Sequence, residues 1–236
     1  MELKKGISIH GKALLIEKSL IIADVHLGQD EAFNKKGVLI PRFQFKDVEK
    51  SVIELIKKTQ PEEFIITGDL KHEFGSILDT EWRNILKLLD KILETCKNII
   101  LIKGNHDVLL GPVARKAKII IDKNYFIGKT LICHGDVIPE KKLLDRCDTI
   151  IMGHEHPAIT LKKEARTEKF KCFLKGKFKG KNLIVMPSFN PLTIGNDVLP
   201  GKMLSPFLAG NLDNFEVFVA AENDEVLYFG KVKDLR

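Results

Sequence analysis

The sequence predicts an α/β fold, a layered α/β/β/α sandwich of two mixed sheets with flanking helices. In the first half of the chain, short Ile-rich runs alternate with amphipathic helical segments, which is typical of parallel βαβ units. After residue 115, short strand-like runs follow one another with little helix, which indicates a mixed, partly antiparallel sheet. Because no linker-like stretch interrupts the 236 residues, we expect a single domain over residues 1–236.

The first half of the chain contains two predicted strands, a loop and two helices. ALLI and LIIA within residues 13–26 predict a strand pair, and the polar segment over residues 27–44 predicts a loop. Apolar side chains at helical spacing predict one helix near residues 48–56, ended by Pro61, and a longer helix near residues 82–93. Because strands flank both helices, we expect parallel strand pairing in this half.

The second half is composed mainly of strand-like runs, and only residues 139–147 between them have a helical pattern. The runs that predict the second sheet are KIIID, YFIG, TLICHG, TIIMGHEH, AITL, FKCFLKGKF, NLIVMPS, FEVFVAA and EVLYFG. Their short lengths and close spacing favour antiparallel neighbours, so we expect a mixed sheet packed against the first.

Five apolar runs each end in a small residue and then an Asp, Asn or His side chain. They are LIIADVH (20–26), FIITGD (64–69), IILIKGNHD (99–107), LICHGD (131–136) and IIMGHEH (150–156). Strand ends are where α/β sheets place ligand sites, and five of the seven histidines fall in these segments. In D-x-H and H-x-H, positions i and i+2 project to the same face and can bind one cation. The sequence therefore predicts a site for more than one metal ion.

Taken in order, the motifs D-x-H, G-D, G-N-H-D, H-G and G-H-x-H resemble those of the calcineurin-like metallophosphoesterase superfamily, over residues 24–156. The stretches ADVHLGQ, VLIPRFQ and MPSFNPL are similar to the archaeal SbcD-related phosphoesterases and to the DNA-ligase-associated branch. The resemblance implies hydrolysis of a phosphoester bond by a dinuclear metal site.

The resemblance also implies a ligand set for two divalent ions that share the carboxylate of Asp69. The first ion would further be bound by Asp24, His26 and His156, and the second by Asn105, His134 and His154. Ions roughly 3.5–4 Å apart can activate a hydroxide and stabilise the attacking and leaving oxygens of an in-line displacement. We expect manganese; iron, nickel, cobalt and zinc also suit these mixed oxygen and nitrogen ligands.

The remaining candidate residues concern proton transfer and substrate contact. The resemblance implies that His106 protonates the leaving oxygen, and Asp107 either orients His106 or caps a helix. Arg42 and His72 are candidate substrate contacts, for which a surface role is the alternative.

The segment over residues 162–181 is strongly basic, with nine Lys or Arg against Glu164 and Glu168. We expect a basic hairpin at about residues 162–182, with a Lys-Gly turn. Its alternating lysines would share one face of a strand, so Lys171, Lys175 and Lys177 are candidate contacts to nucleic acid. The alternative is a solvated edge hairpin, whose charges prevent pairing with other chains.

Several classes of protein are not favoured by the sequence. Its longest apolar stretches, such as VFVAA (217–221), are far too short for a membrane span, and the N-terminus lacks the apolar core of a signal peptide. We therefore expect a cytoplasmic protein with no membrane association. The four cysteines have no metal-type spacing, so reduced and buried thiols are expected.

Together these features predict a phosphodiesterase acting on nucleic acid or nucleotides, with single- or double-stranded DNA as candidate substrate. Two alternatives remain open. The same metals could serve a phosphomonoesterase or nucleotide pyrophosphatase, or the fold could be a non-catalytic scaffold for protein contacts. Retention of every expected ligand and of the proton-donating histidine disfavours the scaffold.

Overall fold

The first sheet joins an antiparallel half to a parallel half. The computed structural model describes residues 1–73, 79–107, 110, 118–163, 166–221 and 225–236. The strands of this sheet lie side by side in chain order: β1 (Glu2–Lys4), β2 (Ile7–His10), β3 (Ala13–Ile16), β4 (Ser19–Ala23), β5 (Glu63–Thr67), β6 (Asn98–Ile102) and β7 (Ile119–Asp122). β1 to β4 pair antiparallel, and β4 to β7 pair parallel. β4 to β6 are buried along nearly their whole length, as expected for strands covered on both faces.

The second sheet is mixed and contains the rest of the strands. They are β8 (Asn124–Ile127), β9 (Thr130–Cys133), β10 (Thr149–Met152), β11 (Pro157–Lys163), β12 (Arg166–Phe178), β13 (Lys181–Val185), β14 (Asn196–Asp197), β15 (Glu216–Ala220) and β16 (Val226–Lys231). The main path runs β14-β11-β12-β13-β10-β9-β8, while β15 joins β12 to β16. β9, β10 and β13 are parallel, so their carboxyl ends lie at one edge of the sheet.

Helices cover the outer faces unequally. They are α1 (Gln29–Lys35), α2 (Gln44–Thr59), α3 (Asp79–Leu93) and α4 (Lys141–Leu144). α2 and α3 bury Val52 and Leu89 in the core on the outer face of the first sheet. The outer face of the second sheet is covered by α4 and by a later segment that contributes Phe207 and Leu212. A third core, which includes Phe173, fills the space between the sheets.

The structure confirms the predicted α/β sandwich of two mixed sheets, with differences in detail. The segment over residues 27–44 is not only a loop, because it contains α1, a seven-residue helix with few buried side chains. Its polar residues stabilise it: Asn34 donates a side-chain hydrogen bond to the carbonyl of Asp30 and another to that of Ile40. Such a helix leaves too little apolar periodicity to be recognised in the sequence.

Three further expectations about individual elements are corrected. The run KIIID forms β7, which extends the first sheet by pairing parallel to β6. The helix expected over residues 139–147 is limited to the four residues of α4. β1 and β2 were not predicted, because both are short and half-exposed and lack a sustained apolar pattern.

Two expectations about the chain as a whole can be compared with the structure. The four cysteines are free and buried, as predicted. None of the helices in the described ranges combines the length and the apolar character that crossing a membrane requires. Cytoplasmic location stays a prediction.

Phe173→Ala should reveal how much stability the core between the sheets contributes. The side chain is 0% exposed and packs between the two sheets, so its loss leaves a cavity. We expect a decrease of about 3–5 kcal/mol in the free energy of unfolding, measured by chemical denaturation. Leu227→Ala, at a position 46% exposed, is the control and should change it by less than about 0.5 kcal/mol. Equal effects of the two substitutions would contradict this packing.

Candidate functional site

The seven predicted metal ligands all follow the carboxyl ends of strands. In the first sheet, Asp24 and His26 follow β4, Asp69 follows β5 and Asn105 follows β6. In the second sheet, His134 follows β9, and His154 and His156 follow β10. Because these strands are parallel within each sheet, the packing of the two sheets brings all five strand ends to one place.

The side chains form two adjacent groups of metal-type donors and a third that overlaps both. Asp24, His26 and His156 make up one group, and Asp69, His134 and His154 make up another. The third consists of His26, Asp69 and His106, and in each group the donor atoms lie within 4.8 Å of one another. Asp69 lies between the groups: its Oδ2 is 3.7 Å from Nε2 of His26 and 3.5 Å from Nε2 of His134. Oδ1 of Asn105 is 3.0 Å from the same nitrogen of His134. The seven predicted ligands are therefore brought together.

Imidazole nitrogens face one another across both groups. Nδ1 of His154 is 3.1 Å from Nε2 of His134, and Nε2 of His26 is 3.4 Å from Nε2 of His156. Nε2 of His156 is also 3.5 Å from Oδ2 of Asp24. Convergence of lone-pair nitrogens and carboxylate oxygens on the same small volume is the donor arrangement that divalent transition metals require.

The backbone at five of the seven donors is in the left-handed region. Positive φ angles occur at Asp24 (52°), His26 (46°), Asp69 (40°), His154 (63°) and His156 (49°). Non-glycine residues adopt this conformation at a cost of order 1–3 kcal/mol, and such residues cluster at functional sites. The chain here turns sharply enough to direct successive Asp and His side chains inward.

Two glycines allow the donors to approach the backbone closely. A Cβ added at Gly68 would lie 1.8 Å from Nδ1 of His134, and one added at Gly104 would lie 2.1 Å from Oδ1 of Asp69. No side chain larger than hydrogen fits at either position with these donors in place. The small residues between strand and donor in the sequence therefore have a steric function.

The electrostatics of the site are dominated by burial. Asp24 is 0% exposed and Asp69 2% exposed. Burial raises the pKa of Asp69 to about 8, and the nearby charge of Asp24 adds to the rise. Burial would raise the pKa of Asp24 too, but the imidazoles of His156, His134 and His26 outweigh it and lower that pKa to about 2. Burial lowers the pKa of His26 to about 2, so its ring is neutral with a lone pair available.

The donor set fits divalent metal ions. Within the described ranges, the buried side-chain nitrogens and oxygens that have no hydrogen-bond partner all belong to this region: Asp24 Oδ1, His26 Nδ1, His72 Nδ1 and His134 Nδ1. Buried polar atoms are nearly always satisfied in proteins, so a cluster of unsatisfied ones indicates a site built for another group. A nearby cation would also offset the repulsion between the two buried carboxylates.

His106 lies beside the donors, while Asp107 lies beneath them. Nε2 of His106 is 4.0 Å from Oδ2 of Asp69, and its Nδ1 donates a hydrogen bond to the carbonyl of His72. Asp107 is buried and accepts hydrogen bonds from the backbone amides of Leu70 and Gly104. Asp107 thus connects the turns after β5 and β6, which positions both Asp69 and His106.

The predicted substrate contacts are more dispersed. The imidazole of His72 is 5.7 Å from that of His26 and 5.9 Å from that of His106, so it borders the site. Arg42 is exposed in the segment before α2.

Most of the segment predicted as a basic hairpin lies in β12 and β13, which are joined by a turn at Lys179–Gly180. Residues 162–163 belong to β11 instead, and residues 164–165 lie outside the described residues. The lysines of this hairpin do not form the free row that alternation predicts. Lys171 donates to the carbonyls of Ser188 and Asn190, and Lys175 pairs with Glu216 at 2.8 Å. Both share the inner face of β12 with Phe173, whereas Lys177 is exposed and donates to Asn182.

A layer of polar side chains that supports the donors was missed by the sequence analysis. Gln44 donates to the carbonyl of His26 and to Asn190, and Ser188 donates to the carbonyl of Asp24. Ser188 and Asn190 belong to the stretch MPSFNPL, to which the family resemblance assigns no individual role. The sequence signal for this layer is the pair of polar residues, Ser188 and Asn190, that follows the buried strand β13.

Comparison with known proteins identifies the family. The family model described as calcineurin-like phosphoesterase matches residues 18–211. The chain belongs to this family. Members normally bind divalent metal ions, in agreement with the donor clusters of this calcineurin-like phosphoesterase. Its closeness to the archaeal SbcD-related branch stays a prediction.

Among solved structures that resemble this chain at low sequence identity, the first described below shows the same fold. The nuclease MPE of Pseudomonas putida has a TM-score of 0.67 and 18% identity, covering 94% of this chain and 93% of that one. YfcE, a phosphoesterase from E. coli, has a TM-score of 0.41 and 14% identity over 92% and 94%. Vps29 from Entamoeba histolytica, complexed with zinc, has a TM-score of 0.40 and 14% identity over 90% and 98%. The search of curated protein sequences found no match.

Gly104→Ala should disrupt metal binding by sterics alone. Gly104 does not have a positive φ, but its new Cβ would overlap Asp69 Oδ1 and displace the carboxylate. We expect fewer divalent ions per chain after dialysis, measured by elemental analysis, while the circular dichroism spectrum stays that of the wild type. Gly210→Ala is a matched control, because no atom lies within 4 Å of its added Cβ. Wild-type metal content in the Gly104 variant would show that the carboxylate position is not critical.

Proposed function

We propose that this protein is a dinuclear metal-dependent phosphodiesterase that hydrolyses nucleic acid or nucleotides. One observation carries the proposal: two adjacent groups of buried and half-buried Asp and His donors lie on either side of a single carboxylate, Asp69. One ion would be held by Asp24, His26, Asp69 and His156, and the other by Asp69, Asn105, His134 and His154. Bound divalent ions at such a site lower the pKa of water and neutralise charge on phosphate oxygens.

Asp69 is suited to the bridging position because its two oxygens have different surroundings. Its Oδ1 accepts a hydrogen bond of 2.9 Å from the backbone amide of His106, which fixes the orientation of the carboxylate. Its Oδ2 is the oxygen that lies between His26 and His134. The carboxylate is therefore held with one oxygen directed at both donor groups.

His106 is proposed as the group that protonates the leaving oxygen. Because Nδ1 is occupied by the carbonyl of His72, proton exchange with a substrate would take place at Nε2, which faces Asp69. Burial lowers the pKa of His106, while the hydrogen bond to His72 opposes that shift. A lowered pKa makes the protonated imidazole a stronger acid, which favours transfer of its proton to a leaving oxygen.

The choice of a diester substrate is supported by the family and by the name of a structural neighbour. The family is described as phosphoesterase, and the structure with a TM-score of 0.67 is named a nuclease. The test is to load metal-free protein with Mn²⁺, Ni²⁺ or Zn²⁺ and assay a chromogenic diester, a monoester, cyclic nucleotides and single- and double-stranded DNA. Turnover of the monoester alone would favour the phosphomonoesterase, and turnover of none would favour a scaffold.

Asp69→Asn should separate metal binding from folding. The substitution keeps the shape of the side chain but removes the charge that both proposed ions share. We expect loss of both ions, undetectable hydrolysis, and no rise in melting temperature when Mn²⁺ is added, whereas the wild type is stabilised by binding. Asp145→Asn, at an exposed carboxylate outside the site, is the control. An Asp69 variant that retains two ions per chain would refute the proposed ligand set.

His106→Ala should lower turnover without removing metal. Loss of a general acid costs roughly 10²–10⁴-fold in rate, and the loss should shrink for substrates with acidic leaving groups that need no proton. Aryl phosphodiesters of graded leaving-group pKa, assayed on variant and wild type, measure this dependence. His10→Ala, on β2, serves as the histidine control. An equal loss across the series, or loss of metal, would rule out the proton-donor role.

A further inference from the structure

A cavity adjoins the donor cluster on one side. It has a volume of about 450 Å³, and Gly104, Asp107 and His134 form the part of its lining that it shares with the site. Small-molecule sites commonly have volumes of about 300–1,000 Å³, so this cavity is large enough for a nucleoside. A group attached to a phosphate at the donor cluster could extend directly into it.

The cavity lining carries charges of both signs, with Lys103 and Lys123 as its basic residues and Asp136 and Glu140 among its acidic ones. Lys103 follows β6 and Lys123 precedes β8, and both have exposed side chains. Asp122 holds their backbones together: its carbonyl accepts a hydrogen bond of 2.8 Å from Lys103 N, and its side chain accepts one of 2.6 Å from Lys123 N. Two lysines therefore lie in the lining of a cavity that also includes His134 of the donor cluster.

Another part of the lining is apolar and forms one wall of the cavity. It consists of Val137, Ile138, Pro139 and Leu143, which lie between β9 and the end of α4. Val137 is 67% exposed, although it is only three residues beyond the proposed ligand His134. Apolar side chains exposed beside a polar centre mark a surface that contacts an apolar part of a ligand. A flat nucleobase suits this wall, whereas inorganic phosphate or a methyl ester would leave it uncovered.

The position of His106 indicates which side of the substrate the cavity receives. Among the described residues that line the cavity, His106 is absent, although its neighbours Gly104 and Asp107 are present. The leaving group must lie near the proton donor, so the group in the cavity is the one that stays on the phosphorus.

We propose that this cavity binds the nucleoside that remains attached to the phosphorus during hydrolysis, with its base against Val137 and with Lys103 and Lys123 contacting the next phosphate of a strand. The proposal rests on the proposed function, because it assumes that the scissile phosphate lies at the donor cluster. It adds a substrate class, which is a nucleotide strand. It also adds a subsite that the metal ligands alone do not define.

The test compares two substrates that differ only in the retained group. Thymidine 5′-(p-nitrophenyl phosphate) and methyl p-nitrophenyl phosphate share leaving group and charge. We expect wild-type protein to have a higher kcat/KM for the thymidine ester. In Val137→Asp, which places a charge on the base-binding wall, the ratio of the two values should fall about ten-fold, as for loss of one stacked base. Leu227→Asp, at an exposed apolar position on β16, should leave the ratio unchanged.

Binding measurements test the lysines independently of turnover. Lys103→Gln combined with Lys123→Gln should weaken binding of a short single-stranded oligonucleotide and reduce its salt slope by about 0.7 per lost contact. Binding of thymidine 5′-monophosphate, which lacks the next phosphate, should change much less.

The possible outcomes distinguish failure of the nucleoside subsite from failure of the proposed phosphodiesterase activity. If both p-nitrophenyl esters are hydrolysed but the ratio is the same in wild type and Val137→Asp, the cavity is not the nucleoside subsite and the phosphodiesterase proposal stands. An unchanged salt slope would overturn the lysine contacts. If metal-loaded wild type hydrolyses neither ester and no DNA, the proposed function itself fails.

Discussion

The structure depends on the burial of two carboxylates at the seam where both sheets end. Asp24 and Asp69 are almost completely removed from water, and an ion in that environment carries a desolvation penalty of several kcal/mol. The pKa values of the two carboxylates shift in opposite directions. Imidazoles hold the pKa of Asp24 at about 2, while burial and the charge of Asp24 raise the pKa of Asp69 to about 8. Histidines surround these two carboxylates. The left-handed turns and the glycines beside the donors allow those histidines to approach them closely.

A second consequence is that residues between the donors turn away from them and hold the loops. Glu155, between His154 and His156, is fully buried and accepts hydrogen bonds of 2.9 Å from the backbone amides of Leu204 and Ser205. Asp107 does the same for the turns after β5 and β6. In these two motifs, then, one acidic residue fixes the backbone while its neighbours face the centre. Loops alone would not hold donors to a fraction of an ångström, and these internal carboxylates supply the rigidity.

Much of the fold and of the candidate site could be predicted because both follow from local patterns. Continuous apolar runs identify buried strands such as β4 to β6, and the Asp or Asn shortly after each run identifies a donor at the shared sheet edge. The sheet to which a strand belongs is a long-range property, so β7 was assigned to the second sheet in error. The supporting contacts of Gln44 and Asn190 were not predictable either, because they join residues 146 positions apart through a single hydrogen bond.

Lys171 shows why charge pattern alone misleads. Alternation along β12 correctly places it on one face with Lys175, but that face also carries Phe173 and is the inner one. Its ammonium group donates to the carbonyls of Ser188 and Asn190, and Ser188 in turn donates to the carbonyl of Asp24. Burial lowers the pKa of Lys171 to about 7, which is the electrostatic cost of that position. A lysine that would be counted as part of a surface for nucleic acid is therefore directed at the loop behind a buried carboxylate. The net charge of a segment therefore overstates the charge of its surface when some of its charged side chains are buried.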